Sequence, residues 1–204
     1  VYVFRRTHSD RIVDAARLYR LSGEQRYADW AATQLDFYAD NYATWTVNPK
    51  RLNASAHLWT QTLDGATNLV KYVAAARLLG DFVTPERKAH WRDHFFMPEV
   101  KILEDSFKLV HNIACWHRSA VAQTALYLKD EPLWKSAVDG PFGIRKQLAQ
   151  GITSDYLWYE QSMTYNSYVV QALLPFFTIA ALEGRGVELR QEMAFAENLM
   201  LKEG

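Results

Sequence analysis

Residues 155–168, Asp-Tyr-Leu-Trp-Tyr-Glu-Gln-Ser-Met-Thr-Tyr-Asn-Ser-Tyr, crowd four tyrosines and a tryptophan into fourteen positions. Each buried phenol wants a hydrogen-bond partner, so a plain core segment gains little from so many. A carbohydrate site uses them well, with ring faces for sugar C–H surfaces, hydroxyls for polar recognition and one phenol for proton transfer. The stretch reads as an irregular segment entering a helix, where functional groups are commonly displayed.

A second polar cluster lies upstream at His111-Asn112-Ile113-Ala114-Cys115-Trp116-His117-Arg118. Placed at a helix start, His111 and Asn112 project from the mouth of a helical bundle, and Asn112 and Trp116, four apart, share a face. A histidine that titrates near neutrality suits a general base. An asparagine amide can donate to a carboxylate and ease the build-up of negative charge there. The plainer alternative is that His111 caps the turn, His117 is a half-buried imidazole, Glu160 supports a loop, and Tyr159 and Tyr168 pack.

Other candidates weigh less. His90 and His94 stand four apart, a metal-ligand spacing, but the glutamate of a His-Glu-x-x-His motif is replaced by Trp91, so structural histidines and no metal are expected. Cys115 lies among alanines and reads as a small core residue; alone, it cannot form an intramolecular disulfide. Lysine plus arginine equals aspartate plus glutamate, 23 each, so no global field favours nucleic acid or an anionic membrane, though a local basic patch is allowed. Arg5-Arg6 and Lys50-Arg51 are too short for nucleic-acid tracts, and no phosphate-binding glycine loop occurs. No uninterrupted apolar run reaches the roughly 18 residues of a membrane span.

The elements that must position these groups are helical. Ser9 is a plausible N-cap, with Gly23 closing that helix. A second helix runs from Glu24 to about Trp45, followed by a loop over 46–56. A long helix is expected from about Leu58 to Leu79, ending at Gly80-Asp81. Thr84-Pro85-Glu86 is a strong start signal for a helix reaching Pro98 and resuming as Glu99–Phe107. Further helices are expected over Asn112–Leu128, Leu133–Val138, a stretch ending at Gln150, Tyr165–Leu182 and Val187–Leu201. Recurrent junctions such as Leu79-Gly-Asp and Leu182-Glu-Gly suggest stacked antiparallel helix hairpins, so the expected fold is all-α, a solenoid or an (α/α) toroid over 1–204.

Several stretches together resemble a known family. Asn112-Ile-Ala-Cys-Trp-His-Arg-Ser, Leu126-Tyr-Leu-Lys-Asp, Asp139-Gly-Pro-Phe-Gly-Ile-Arg and Gly151-Ile-Thr-Ser-Asp-Tyr-Leu-Trp-Tyr-Glu-Gln-Ser-Met-Thr-Tyr look like the heparinase II/III-like polysaccharide lyases, which include oligo-alginate lyases. Trp59-Thr-Gln-Thr-Leu-Asp64 is similar to an earlier helix of that family. The resemblance covers about residues 10–180. It implies an α/α toroid, here incomplete, that a large C-terminal β-sandwich normally follows, so the chain is expected to be a fragment. It also implies β-elimination on a uronate-containing alginate- or heparin-type chain, without cofactor or metal. On that reading Asn112 neutralises the uronate carboxylate, His111 is the base, and Tyr165 is the acid, or the base for one C5 configuration. Gln61, Asp64, Trp116, His117, Trp158, Glu160 and Asn166 would contact substrate. Two positions depart from the pattern: Asn166 stands where the family usually has histidine, and Tyr156 where relatives often have glycine. A bacterial periplasmic or secreted setting is favoured over a cytoplasmic one. Two other readings stay open: a glycoside hydrolase using Asp64, Asp155 or Glu160 as paired carboxylates, and a non-catalytic helical sugar-binding module.

Overall fold

Apolar residues at helical spacing dictate the first element. Ile12, Val13, Ala15 and Ala16 are all buried on one side of helix α1, Tyr2–Ser22. It ends where Gly23 takes a left-handed φ of 72° and its N–H reaches the Tyr19 carbonyl at 2.8 Å, a conformation glycine adopts without strain. The computed structural model describes residues 2–47 and 56–201, and most of the loop expected over 46–56 lies outside them. Ser9 is not a cap. It is fully buried inside α1, its hydroxyl 2.8 Å from the Arg6 carbonyl and 2.5 Å from Asn68 Oδ1.

The chain is all-α, and among the described residues the only β pairing is an isolated bridge between Ile152 and Trp158. It divides into two compact units, Val1–Leu103 and Glu104–Gly204. In the first, α1 packs on α2 (Gln25–Asn41) and α3 (Thr62–Leu79), and α2 also packs on α4 (Pro85–Trp91). Helix α3 starts later than its apolar pattern suggests, because Gln61 is extended (φ −148°, ψ 159°) and serves as its N-cap residue. Thr84 caps α4 as expected, its hydroxyl accepting from the Arg87 N–H at 3.2 Å.

Pro98 does not interrupt the helix. A π-helical turn, Arg92–Phe96, leads directly into α5 (Met97–Asp105). Widening the turn just before the proline accommodates its missing N–H and its ring, which a regular α-helix would not. Around this segment Tyr38, Tyr42, Tyr72 and Phe95 form an aromatic core enclosing the fully buried Glu99, whose carboxylate accepts from the Tyr42 hydroxyl. Burial pushes the Glu99 carboxyl up to about 7 despite that bond. Gly65 makes room for it: a Cβ there would lie 2.1 Å from Glu99 Oε1.

In the second unit α6 (Asn112–Leu128) is the central rod. It packs against α7 (Glu131–Asp139), α8 (Ile144–Gly151) and α9 (Met163–Leu182), and α10 (Arg190–Leu201) packs on α8 and α9. Ala114, Ala120, Val121, Ala122 and Ala125 are all buried, and these small residues allow close approach on several sides. Cys115 is buried with them, and burial raises its thiol pKa far above the ordinary value. Lys129 adopts the left-handed conformation (φ 58°) that ends α6, and Asp130 Oδ1 caps α7 by accepting from the Leu133 N–H at 3.0 Å. The Ser119 hydroxyl donates to the Ala172 carbonyl at 2.6 Å and ties α6 to α9. By length and composition α9 would pass for a membrane-crossing helix, a feature the run-length criterion overlooks. In this fold Val169, Leu173, Phe176 and Ala180 are among its buried residues.

Candidate functional site

The N-terminus of α6 is built around one carboxylate. Glu160 accepts from the Asn112 backbone N–H at 3.1 Å, from Asn112 Nδ2 at 2.8 and 3.0 Å, and from the Trp158 indole Nε1 at 2.6 Å. His111 Nε2 stands 3.6 Å from the same group. The two clusters recognised in the sequence, 48 positions apart, therefore meet through Asn112 and Glu160. Partial burial works to raise the Glu160 pKa. The bonds from Trp158 and Asn112, with the imidazole nearby, outweigh it and hold the carboxyl below its ordinary value.

Local geometry assigns the His111 proton. His111 is the N-cap of α6, and its Nδ1 accepts from the Ile113 N–H at 3.1 Å. A neutral imidazole accepting at Nδ1 carries its hydrogen on Nε2, the nitrogen that faces Glu160. So the alternative in which His111 caps the turn describes the structure, and in this arrangement its outward nitrogen is a donor.

The turn before α6 is fixed by Gln147, which sequence reasoning did not single out, and by Tyr159. Gln147, fully buried on α8, accepts from the His111 N–H at 3.0 Å and donates to the carbonyls of Leu109 and Phe142, both at 3.0 Å. The Tyr159 hydroxyl donates to the Val110 carbonyl at 2.7 Å. Gly151 is equally necessary, since a Cβ there would sit 2.2 Å from the Trp158 ring. A glutamine inside an amphipathic helix and a glycine at a helix end carry no distinctive signal in the chain. Their partners are what give them meaning.

Helix α9 starts beside this cluster. Asn166, at its first turn, accepts from the Trp158 N–H at 3.0 Å and donates to the Leu199 carbonyl at 3.0 Å. A chain of bonds thus runs from Asn112 through Glu160 and Trp158 to Asn166. Tyr165, next to Asn166, is 44% exposed and its hydroxyl has no hydrogen-bond partner among the described residues, which leaves it free for a ligand.

The remaining expected contacts fall differently. Trp158 and Asn166 are each 1% exposed. Trp158 is wedged against Gly151 and the Asn166 amide donates to backbone, so both brace the loop, and both also line a hollow of about 300 Å³ with Asp155, Gln161 and Met163. His117 is fully buried, its ring edge-on to Phe107 at 5.3 Å. Trp116 is half-buried with its ring 5.3 Å from that of Tyr168. Gln61 and Asp64 belong to the first unit, at the start of α3. His90 bonds Asp40 at 2.7 Å, and among the described residues no cluster of histidine, cysteine and carboxylate groups fits a metal ion.

Comparison with known proteins identifies a family. The family model described as "Alginate lyase" matches residues 5–197. A protein named alginate lyase from Stenotrophomonas maltophilia is 26% identical over 200 residues, covering 94% of this chain and 26% of its own length. A protein named exo-oligoalginate lyase from Saccharophagus degradans is 28% identical over 202 residues, covering 94% of this chain and 27% of its own length. The chain thus spans about a quarter of the length of these curated relatives.

Proposed function

The chain belongs to the alginate lyase family, and from that premise we propose that the protein is a polysaccharide lyase cleaving a uronate-containing poly- or oligosaccharide, alginate first, by β-elimination. The observation that carries the reading is the set of N–H donors from Asn112, Trp158 and His111 gathered on a single carboxylate at the mouth of α6. Elimination removes the C5 proton of the uronate, forms the C4–C5 double bond and expels the C4 oxygen, which takes up a proton. The C5 proton is acidic only in so far as the neighbouring carboxylate can accept the developing charge. Asn112 and Trp158 spend their donors on the protein's own Glu160, and the His111 Nε2–H, 3.6 Å from that group, is the donor left to meet a substrate carboxylate.

In this mechanism the Nε2–H of His111 binds the substrate carboxylate, and Asn112, buried and committed to Glu160, holds the mouth of α6 in the shape that presents it. For one C5 configuration Tyr165, entering the step without its proton, takes the C5 proton and passes it to the leaving oxygen; for the other, His111 takes the C5 proton and Tyr165 gives its own to the leaving oxygen. Base catalysis by His111 itself would require its Nδ1 to leave the Ile113 N–H or its Nε2 to lose the hydrogen that faces Glu160. That cost shifts the proton-transfer role towards Tyr165. Glu160, held ionised by three direct bonds, is suited to the base or nucleophile of a carboxylate pair and not to its general acid, so the hydrolase alternative would need Asp64 or Asp155 as the acid. The α/α toroid and a β-sandwich partner domain belong to the same proposal. Incubation of the full-length protein with alginate, polymannuronate, polyguluronate and heparin should generate the ultraviolet absorbance of an unsaturated uronate. New reducing ends without that absorbance would overturn the reading.

A further inference from the structure

The first unit carries a hollow of about 610 Å³ between α1 and α2, within the size range of small-ligand sites. Phe4, Arg5 and His8 line it from α1, Gln34 and Phe37 from α2, and Trp45 from the turn that follows. Its composition differs from that of a packing defect. None of its lining residues is acidic, whereas Arg5 supplies a full positive charge. One Arg5 nitrogen donates to the Leu58 carbonyl, which pins the guanidinium while leaving most of its five N–H groups unused.

The polar groups are prearranged. His8 is held from both sides, Nδ1 at 2.9 Å from the Tyr38 hydroxyl and Nε2 at 3.1 Å from Gln34 Oε1. With its carbonyl so used, Gln34 keeps its amide N–H groups as donors. Around these donors stand aromatic rings that the core does not absorb: Phe4 is 73% exposed and Phe37 52%. The Phe37 and Trp45 rings lie 6.2 Å apart, and the Phe4 ring stacks parallel to the His8 imidazole at 6.1 Å. Exposed rings framing a fixed cation and amide donors suit a ligand with an apolar face, hydroxyls and a carboxylate.

We infer that this hollow is a second saccharide-binding site, taking a uronate unit of an acidic oligosaccharide with its carboxylate on Arg5 and its ring against Trp45 and Phe37. The class of ligand rests on the lyase reading. The site itself shares no residue with the Glu160 cluster.

Isothermal titration of the 204-residue chain with a mannuronate tetrasaccharide, and with neutral mannotetraose as control, tests it. Binding of the acidic ligand is expected, at least tenfold tighter than that of the neutral one, and Arg5→Gln and Trp45→Ala should each weaken it at least tenfold. Phe37→Ser, at a half-exposed ring with little part in the core, should do the same, with thermal unfolding confirming that each variant is folded. Equal binding by the three variants, equal binding of the neutral sugar, or no binding by the parent chain would overturn the inference. Parallel product assays on the full-length protein keep the two proposals separable. Unsaturated product with Arg5-independent binding sinks this site alone, and Arg5-dependent binding without unsaturated product sinks only the lyase reading.

Discussion

Replacing Glu160 by alanine removes the acceptor of three direct bonds, from the Asn112 N–H, the Asn112 amide and the Trp158 indole. Each bond to a charged acceptor contributes about 1.5–3 kcal/mol when fully protected, and less where water can replace it. The Glu160 side chain is 15% exposed, so roughly 1 kcal/mol for each bond is the fair value, about 3 kcal/mol in total. For a chain of this size that lowers Tm by roughly 6–12 °C. The pH dependence identifies the cause. Because the folded carboxyl titrates below its ordinary value near 4.5, its contribution is complete above that value and is lost as pH falls through the lower, folded one. Thermal unfolding of parent and variant, followed by circular dichroism at neutral pH and in steps into the acid range, should show a gap that closes on acidification. A gap below about 0.5 kcal/mol at neutral pH, or one of constant size down to pH values below the folded pKa, would refute the assignment of Glu160 as an ionised anchor.

Tyr165→Phe should cut kcat by about 10²–10⁴-fold and leave Tm nearly unchanged, because the residue is 44% exposed and its hydroxyl is unbonded among the described residues; steady-state kinetics beside a melting curve check both halves. Gly151→Ala forces a methyl into the Trp158 ring and should destabilise by about 1–3 kcal/mol, with a matching loss of activity as the Glu160 loop shifts. The Glu99 carboxyl, raised to about 7 in the fold, makes stability fall as pH rises from its ordinary value of 4.5 towards 7, after which the curve levels. Glu99→Gln should flatten that slope in a series of urea melts, and an unchanged slope would exclude Glu99 as its source.

Local signals were legible where local chemistry decides. The extent of α6, Asn112–Leu128, follows from its run of small apolar residues and from the break at Lys129-Asp130. The start of α4 follows from threonine ahead of proline. The chain is less legible where a distant partner decides. Ser9 resembles a cap but is satisfied in part by Asn68, 59 positions away. Trp158 and Asn166 have the composition of a sugar wall, yet their side chains brace the Glu160 loop. The polar residues around Asn112 and Tyr165 were conspicuous in the chain. That Glu160 would be the group gathering them, and that the outward nitrogen of His111 would carry the hydrogen, depends on distances that spacing does not encode.

The widened turn at Arg92–Phe96 also sets a phase. One extra residue in a helical rod rotates everything beyond it by about 100° relative to an uninterrupted one. Trp91, on the near side, directs its indole to Asp36 of α2 at 2.7 Å, while Glu99 and Leu103, on the far side, meet Gly65 of α3. A single rod is thereby indexed to two neighbours that are out of step with each other. Deleting one residue between Arg92 and Phe96 would yield a more regular helix and a worse protein, since Trp91 and Glu99 could no longer both be seated.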